Sequence, residues 1–199
     1  MSVIEFIILS IALSFEALIV MHGCGLKTPI RLTKGVAEAF VIALINAILL
    51  LLGIWIGNLL RFTPDNIDPY SSSTNSLLTD TDNLVYLGLM LLVALRLLFR
   101  SGKKSRQVQP YDINRFTTAL LLGIAVGINT LIVGLALGFR IPLGENLWRA
   151  AVPLVVIMSL FALLGLMLGR QQKELRARRY TLIAVLFLLA FALKGAFWG

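Results

Sequence analysis

Three polar side chains interrupt apolar runs where burial of a polar group is costly. Glu16 lies within "IALSFEALIV", Asn46 within "ALINAILL" and Asn129 within "VGINTLIV". Ser14 precedes the first and Thr130 follows the last. One carboxylate, two carboxamides and two hydroxyls are all oxygen donors, the ligand type that a hard cation such as Mn²⁺ takes. The single histidine, His22, and the single cysteine, Cys24, come soon after Glu16 and offer softer ligands. Two ligands make an incomplete metal site, so packing near the helix end is the plainer reading of that pair. A lone histidine supports no Ser–His–Asp arrangement, and neither a metalloprotease motif nor a Walker motif occurs, so no enzyme activity and no bound cofactor are expected.

The elements that position these groups follow from composition. The chain has 199 residues, of which 58% are hydrophobic and 14% charged, with a mean hydropathy of +0.90. A soluble domain is nearer half apolar and a quarter charged. An integral membrane protein is therefore expected, with the bilayer as its main partner. Its net charge of +8 lies between the apolar runs and marks no nucleic-acid surface. A single cysteine allows no intrachain disulfide. The N-terminus lacks a basic n-region and Glu16 interrupts the apolar run, which argues against a cleaved signal peptide.

Six runs are long enough to cross a bilayer: about 3–21, 36–60, 83–99, 116–139, 147–169 and 180–198. No strand-like alternation occurs, so helices must satisfy the backbone in lipid. The expected fold is all-α and polytopic, one transmembrane domain over 1–199 with six transmembrane helices. Loops one, three and five are rich in Lys and Arg, for example Lys27, Arg31 and Lys34 in the first. The positive-inside rule places them in the cytoplasm, including a basic loop at 100–115, and both termini outside. The second loop, 61–82, is polar and turn-rich, with Asp65, Asp68, Asp80 and Asp82, and reads as an external connection.

The two halves resemble each other. "EALIVMHGCGLKTPI" from Glu16 lies over "NTLIVGLALGFRIPL" from Asn129, sharing LIV, a glycine, a base and a proline at one offset. "LLGIWIG", ending at Gly57, lies over "LLGLMLG", ending at Gly169, with the offset slipped by one. "VALRLLF" lies beside "FALKGAF", setting Arg96 against Lys194. Repeat one spans about 1–100 and repeat two about 114–199. Three spans per half mean that the second half enters the membrane from the opposite side, an inverted repeat of the kind found in secondary transporters. Their substrate sites lie near the midplane where the repeats meet, and Glu16 and Asn129 are equivalent positions. The pairs Gly53/Gly57, Gly165/Gly169, Gly123/Gly127 and Gly134/Gly138 read as close-packing faces, within the chain or toward a second copy in a homodimer.

These residues resemble the MntP-type manganese efflux pumps. "LSFEALIV" is similar to the family's first-span acidic motif, with Glu16 where an aspartate is usual. "VGINTLIVGLALGF" is similar to the fourth-span motif, with Asn129 where the family has a second aspartate, and "LINAILLLLGIWIG" to the second-span motif, with Asn46 at an acidic position. "ALRLLF" resembles the end of the third span, with Arg96 at a basic position. The resemblance implies a six-helix exporter in the bacterial cytoplasmic membrane with a cation site between its halves.

One carboxylate stands at the three matched acidic positions. A divalent ion held by Glu16, Asn46, Asn129, Thr130 and Ser14 would keep one uncompensated charge in a medium of low dielectric, which is costly. A partly hydrated or a monovalent ion fits better on that ground. Glu16 could also exchange the cation for a proton, or be a structural residue paired with Arg96 or Lys194. An exporter of small organic solutes such as amino acids, and a membrane scaffold without transport activity, are the remaining alternatives. Asn46 and Asn129 could equally serve interhelical hydrogen bonding.

Overall fold

The computed structural model describes residues 3–27, 32–60, 75–102, 116–140, 147–171 and 177–198. These form six helices: α1 (Val3–Lys27), α2 (Leu32–Leu59), α3 (Asn75–Gly102), α4 (Phe116–Gly138), α5 (Trp148–Arg170) and α6 (Ala177–Trp198). No strand occurs among the described residues. Each of the six expected spans coincides with one helix. Five helices are long and apolar enough to cross a membrane: Ile4–Leu26, Thr33–Leu59, Asp82–Phe99, Thr117–Gly138 and Trp148–Arg170. The protein is all-α and polytopic. The structure differs from the expected boundaries most at α3, which begins at Asn75 and takes in about two turns of the segment read as loop. Polar residues such as Thr79 and Asp80 weaken a hydropathy signal without stopping a helix, so the sequence pattern places the start of α3 too late. Residues 61–74 and 103–115 of the second and third loops lie outside the described residues.

Helix pairing follows the repeat. α1 packs most extensively on α5, α2 equally extensively on α4, and α3 on α6; α2 also meets α5. Exchanging the two halves turns α1–α5 into α4–α2 and α1–α6 into α4–α3, and these partners have similar extents. The glycine contacts show the same exchange residue by residue. A Cβ on Gly53 would run into the Leu131 carbonyl oxygen, and one on Gly165 into that of Leu18. Gly57 faces the carbonyl of Leu135, and Gly169 that of His22; Gly138 faces Ile54, and Gly25 faces Leu166. In each couple the α1 and α4 members differ by 113 and the α2 and α5 members by 112, as in the sequence alignment. Residue numbers rise together across both interfaces, so α1 runs parallel to α5 and α2 to α4. Small residues are what allow backbones this close, and the carbonyls then sit over Cα–H groups. Gly123 and Gly127 differ, since they face the side chains of Ile45 and Leu49.

The outward faces also repeat. Phe40, Leu44, Ile48, Leu52 and Trp55 form an exposed stripe on α2. The residues 112 positions later, Val152, Val156, Leu160, Leu164 and Met167, form the same stripe on α5. Exposed apolar stripes of this length suit contact with lipid tails and would be a liability in water.

Candidate functional site: a polar cluster between the repeats

The cluster is built where α1, α2 and α4 come together. Asn46 is the midpoint of its span, Glu16 lies one residue past the middle of Ile4–Leu26, and Asn129 lies between one and two past that of Thr117–Gly138. All three share the mid-depth of their helices, and all are buried, Glu16 with 7% of its surface exposed.

Glu16 and Asn129 meet directly. The Asn129 Nδ2 donates to Glu16 Oε1 at 2.7 Å and to Oε2 at 2.8 Å. They are also equivalent residues of the two repeats. A residue that touches its own repeat mate must lie close to the axis relating the halves, so this pair marks that axis. α1 and α4 otherwise touch only lightly. The side-chain oxygen Asn129 Oδ1 is buried without a hydrogen bond among the described residues. A buried carbonyl oxygen normally finds a donor, and leaving one unmet costs about 1–3 kcal/mol.

Asn46 and Thr130 form the second polar pair. Thr130 Oγ1 donates to Asn46 Oδ1 at 2.8 Å. Asn46 Nδ2 donates to the Ile42 carbonyl at 2.8 Å within α2, and to the Gly123 carbonyl of α4 at 3.3 Å. Its hydrogen-bonding capacity is thus largely used in holding α2 to α4. The repeat equivalents of this pair are Met158 and Ala17, both fully buried and apolar. The cluster is therefore polar on the α2–α4 side of the axis and apolar on the α1–α5 side. Ser14 is buried too, and its Oγ donates to the Ser10 carbonyl one turn back at 2.6 Å. Hydroxyls in membrane helices often bond back in this way.

Contacts at both ends enclose the cluster. At the end where α1, α3 and α5 begin, Lys194 Nζ pairs with Glu5 Oε1 at 2.5 Å. The Arg140 guanidinium lies 4.8 Å above the Tyr86 ring, and Tyr86 OH donates to the Phe191 carbonyl at 3.5 Å. These contacts tie α1 to α6 and α3 to α4 and α6. Lys194 is thus engaged at the helix end with Glu5, and Arg96 is exposed. At the opposite end, Gly25 and Gly169 bring α1 and α5 into backbone contact. His22 and Cys24 lie in the last turns of α1 and are buried. No group of three His, Cys, Asp or Glu side chains poised for a metal ion occurs among the described residues.

One buried carboxylate is missing from the sequence reading. Glu38, on the second turn of α2, is 5% exposed. Its position beside Lys34 gives it the look of an ordinary helix-start acid. The signal that could have found it is the repeat, which sets it over Ala150 and so shows that packing there does not require an acid.

Comparison with known proteins bears on the same architecture. No curated protein and no solved structure matches the chain. A family model described as "Mntp: Putative manganese efflux pump" matches residues 70–195. The match takes in α3, α4, α5 and α6 as far as residue 195, including Asn129 and Thr130. It extends over well over half of the sequence, and the chain belongs to the Mntp family.

Proposed function

We propose that the protein is a secondary transporter that exports a divalent cation, Mn²⁺ first among candidates, through the Glu16–Asn129 site. The observation that carries this reading is the pairing of the one mid-depth carboxylate with its own repeat mate. A site on the axis between inverted halves can be reached from either side by symmetrical rearrangements, which is what alternating access requires.

In the closed form the Asn129 amino group supplies the positive end of a dipole to the carboxylate. A cation takes that place on loading. The amide then turns so that Oδ1, which has no hydrogen bond here, joins the Glu16 oxygens as a ligand. Water completes the shell, since a hard divalent ion retains water readily and the cluster holds only one full negative charge. Asn46 and Thr130 hold α2 against α4 and present oxygens at the same level, while Ser14 keeps α1 in register below them.

The basic first, third and fifth loops support an orientation with the Gly25–Gly169 end in the cytoplasm and both termini outside, in a bacterial inner membrane. Export then moves two charges against an inside-negative potential, which costs about 4.6 kcal/mol per 100 mV. A counter-flow of protons supplies that energy without ATP.

Purified full-length protein in liposomes tests the substrate class. Mn²⁺ should cross at a protein-dependent rate, and a panel of amino acids should not. Amino-acid flux with no metal flux would overturn the reading.

A further inference from the structure

We propose that Glu38 is a proton-binding site of the transport cycle, protonated while the α1–α5 end is closed and ionised when that end opens to water. Its environment is unlike that of Glu16. The Glu16 oxygens each accept a hydrogen bond from Asn129. Both Glu38 oxygens are buried and have no hydrogen bond among the described residues. Glu38 lies inside the span Thr33–Leu59, and an ionised carboxylate buried there without hydrogen bonds costs several kcal/mol. A neutral carboxyl avoids most of that cost.

Among the described residues the ionisable surroundings are few. Lys34, one turn earlier on α2, sets its positive charge in the field of Glu38, and the Cys24 thiol of α1 also lies within that field. His22 is buried on the same stretch of α1. α4 has no titratable side chain along its described length, and α5 brings Arg170, exposed, to this end. None of these donates a hydrogen bond to the carboxyl. Opening this end admits water around Glu38 beside Lys34, which favours ionisation. The step balances as the loss of one proton from the carboxyl to water on the side where the cation is loaded, and the uptake of one proton originating from the release side in the other half of the cycle. Glu16 and Glu38 then divide the work, Glu16 taking the cation and Glu38 the proton. The role in the cycle and this division rest on the transport reading; the protonated state of Glu38 in the closed form does not.

Infrared spectroscopy of the full chain in lipid, without metal, tests the site itself. At neutral pH the wild type should show a protonated-carboxyl C=O band that Glu38→Gln loses and Glu16→Gln keeps. Asp82, also buried, serves as a control through Asp82→Asn. A spectrum unchanged by Glu38→Gln would overturn the proposal. Glutamine copies the size and neutrality of the protonated acid, so the variant should fold, and Glu38→Ala gives a second check. Coupling is read in liposomes carrying a gradient of one pH unit, which should drive about tenfold Mn²⁺ accumulation per proton exchanged. Glu38→Gln should equilibrate Mn²⁺ yet fail to accumulate it, and a wild-type response in this variant would contradict the role in coupling. Absence of all wild-type metal flux would fail the transport reading, with the infrared band still deciding whether Glu38 holds a proton.

Discussion

Glu16→Gln should abolish Mn²⁺ flux in liposomes while leaving the fold intact. Glutamine keeps an oxygen to accept from Asn129 Nδ2, so the contact that joins α1 to α4 survives. What disappears is the one full negative charge of the cluster. At an effective dielectric of 20 and a 4 Å separation, a unit charge pair is worth about 4 kcal/mol, and a divalent ion doubles it. Desolvation of the carboxylate offsets several kcal/mol of that gain. A net loss of about 3–4 kcal/mol remains, which is two to three orders of magnitude in affinity. Thermal unfolding measured beside the flux separates the two effects. Wild-type flux in a folded Glu16→Gln protein would remove the basis of the site.

The second large effect concerns the glycine contacts. Gly53→Ala and Gly165→Ala should each lower unfolding stability by about 1–3 kcal/mol, the usual range for overpacking. Each added methyl meets a backbone carbonyl, of Leu131 or Leu18, that moves only if a whole helix moves. The repeat makes the prediction stricter, because the two variants sit in equivalent contacts and should cost alike. Gly88→Ala is the internal control, as nothing lies within 4 Å of its added Cβ. It should stay within about 0.5 kcal/mol of wild type. Unfolding in detergent by heat, followed by circular dichroism, reads all three. A Gly53→Ala protein as stable as Gly88→Ala would contradict the close approach of α2 and α4.

Much of this architecture is legible in the sequence because the bilayer forces it. Apolar length identifies the spans, and the aligned "LIV" and "LLG" stretches give the 113 and 112 offsets that reappear in the contacts of Gly53 with Leu131 and Gly165 with Leu18. The offset between Glu16 and Asn129 identifies them as mates, and the helices bring them to hydrogen-bonding distance. Pairing between helices is less legible. Nothing in the spacing of Asn46 says that its amide reaches Gly123 and accepts from Thr130, since that depends on which helix lies beside α2. Glu38 escapes for a different reason. An acid close to a helix start beside a lysine has the pattern of a solvated end, and only the packing of the helices shows it enclosed. The start of α3 at Asn75 escapes because a polar helical extension and a polar loop have similar composition.

Exchanging Glu16 and Asn129 asks whether one cation binds between them, on the axis relating the two halves. Glu16→Asn alone should lose Mn²⁺ binding, measured by the paramagnetic resonance signal of free Mn²⁺ over purified protein. Combining Glu16→Asn with Asn129→Glu returns the same carboxylate and the same amide to the axis from opposite helices. The exchanged protein should bind one Mn²⁺ per chain with an affinity within about tenfold of wild type, a difference of about 1.4 kcal/mol. An exchanged protein that folds, yet binds no better than Glu16→Asn alone, would contradict it.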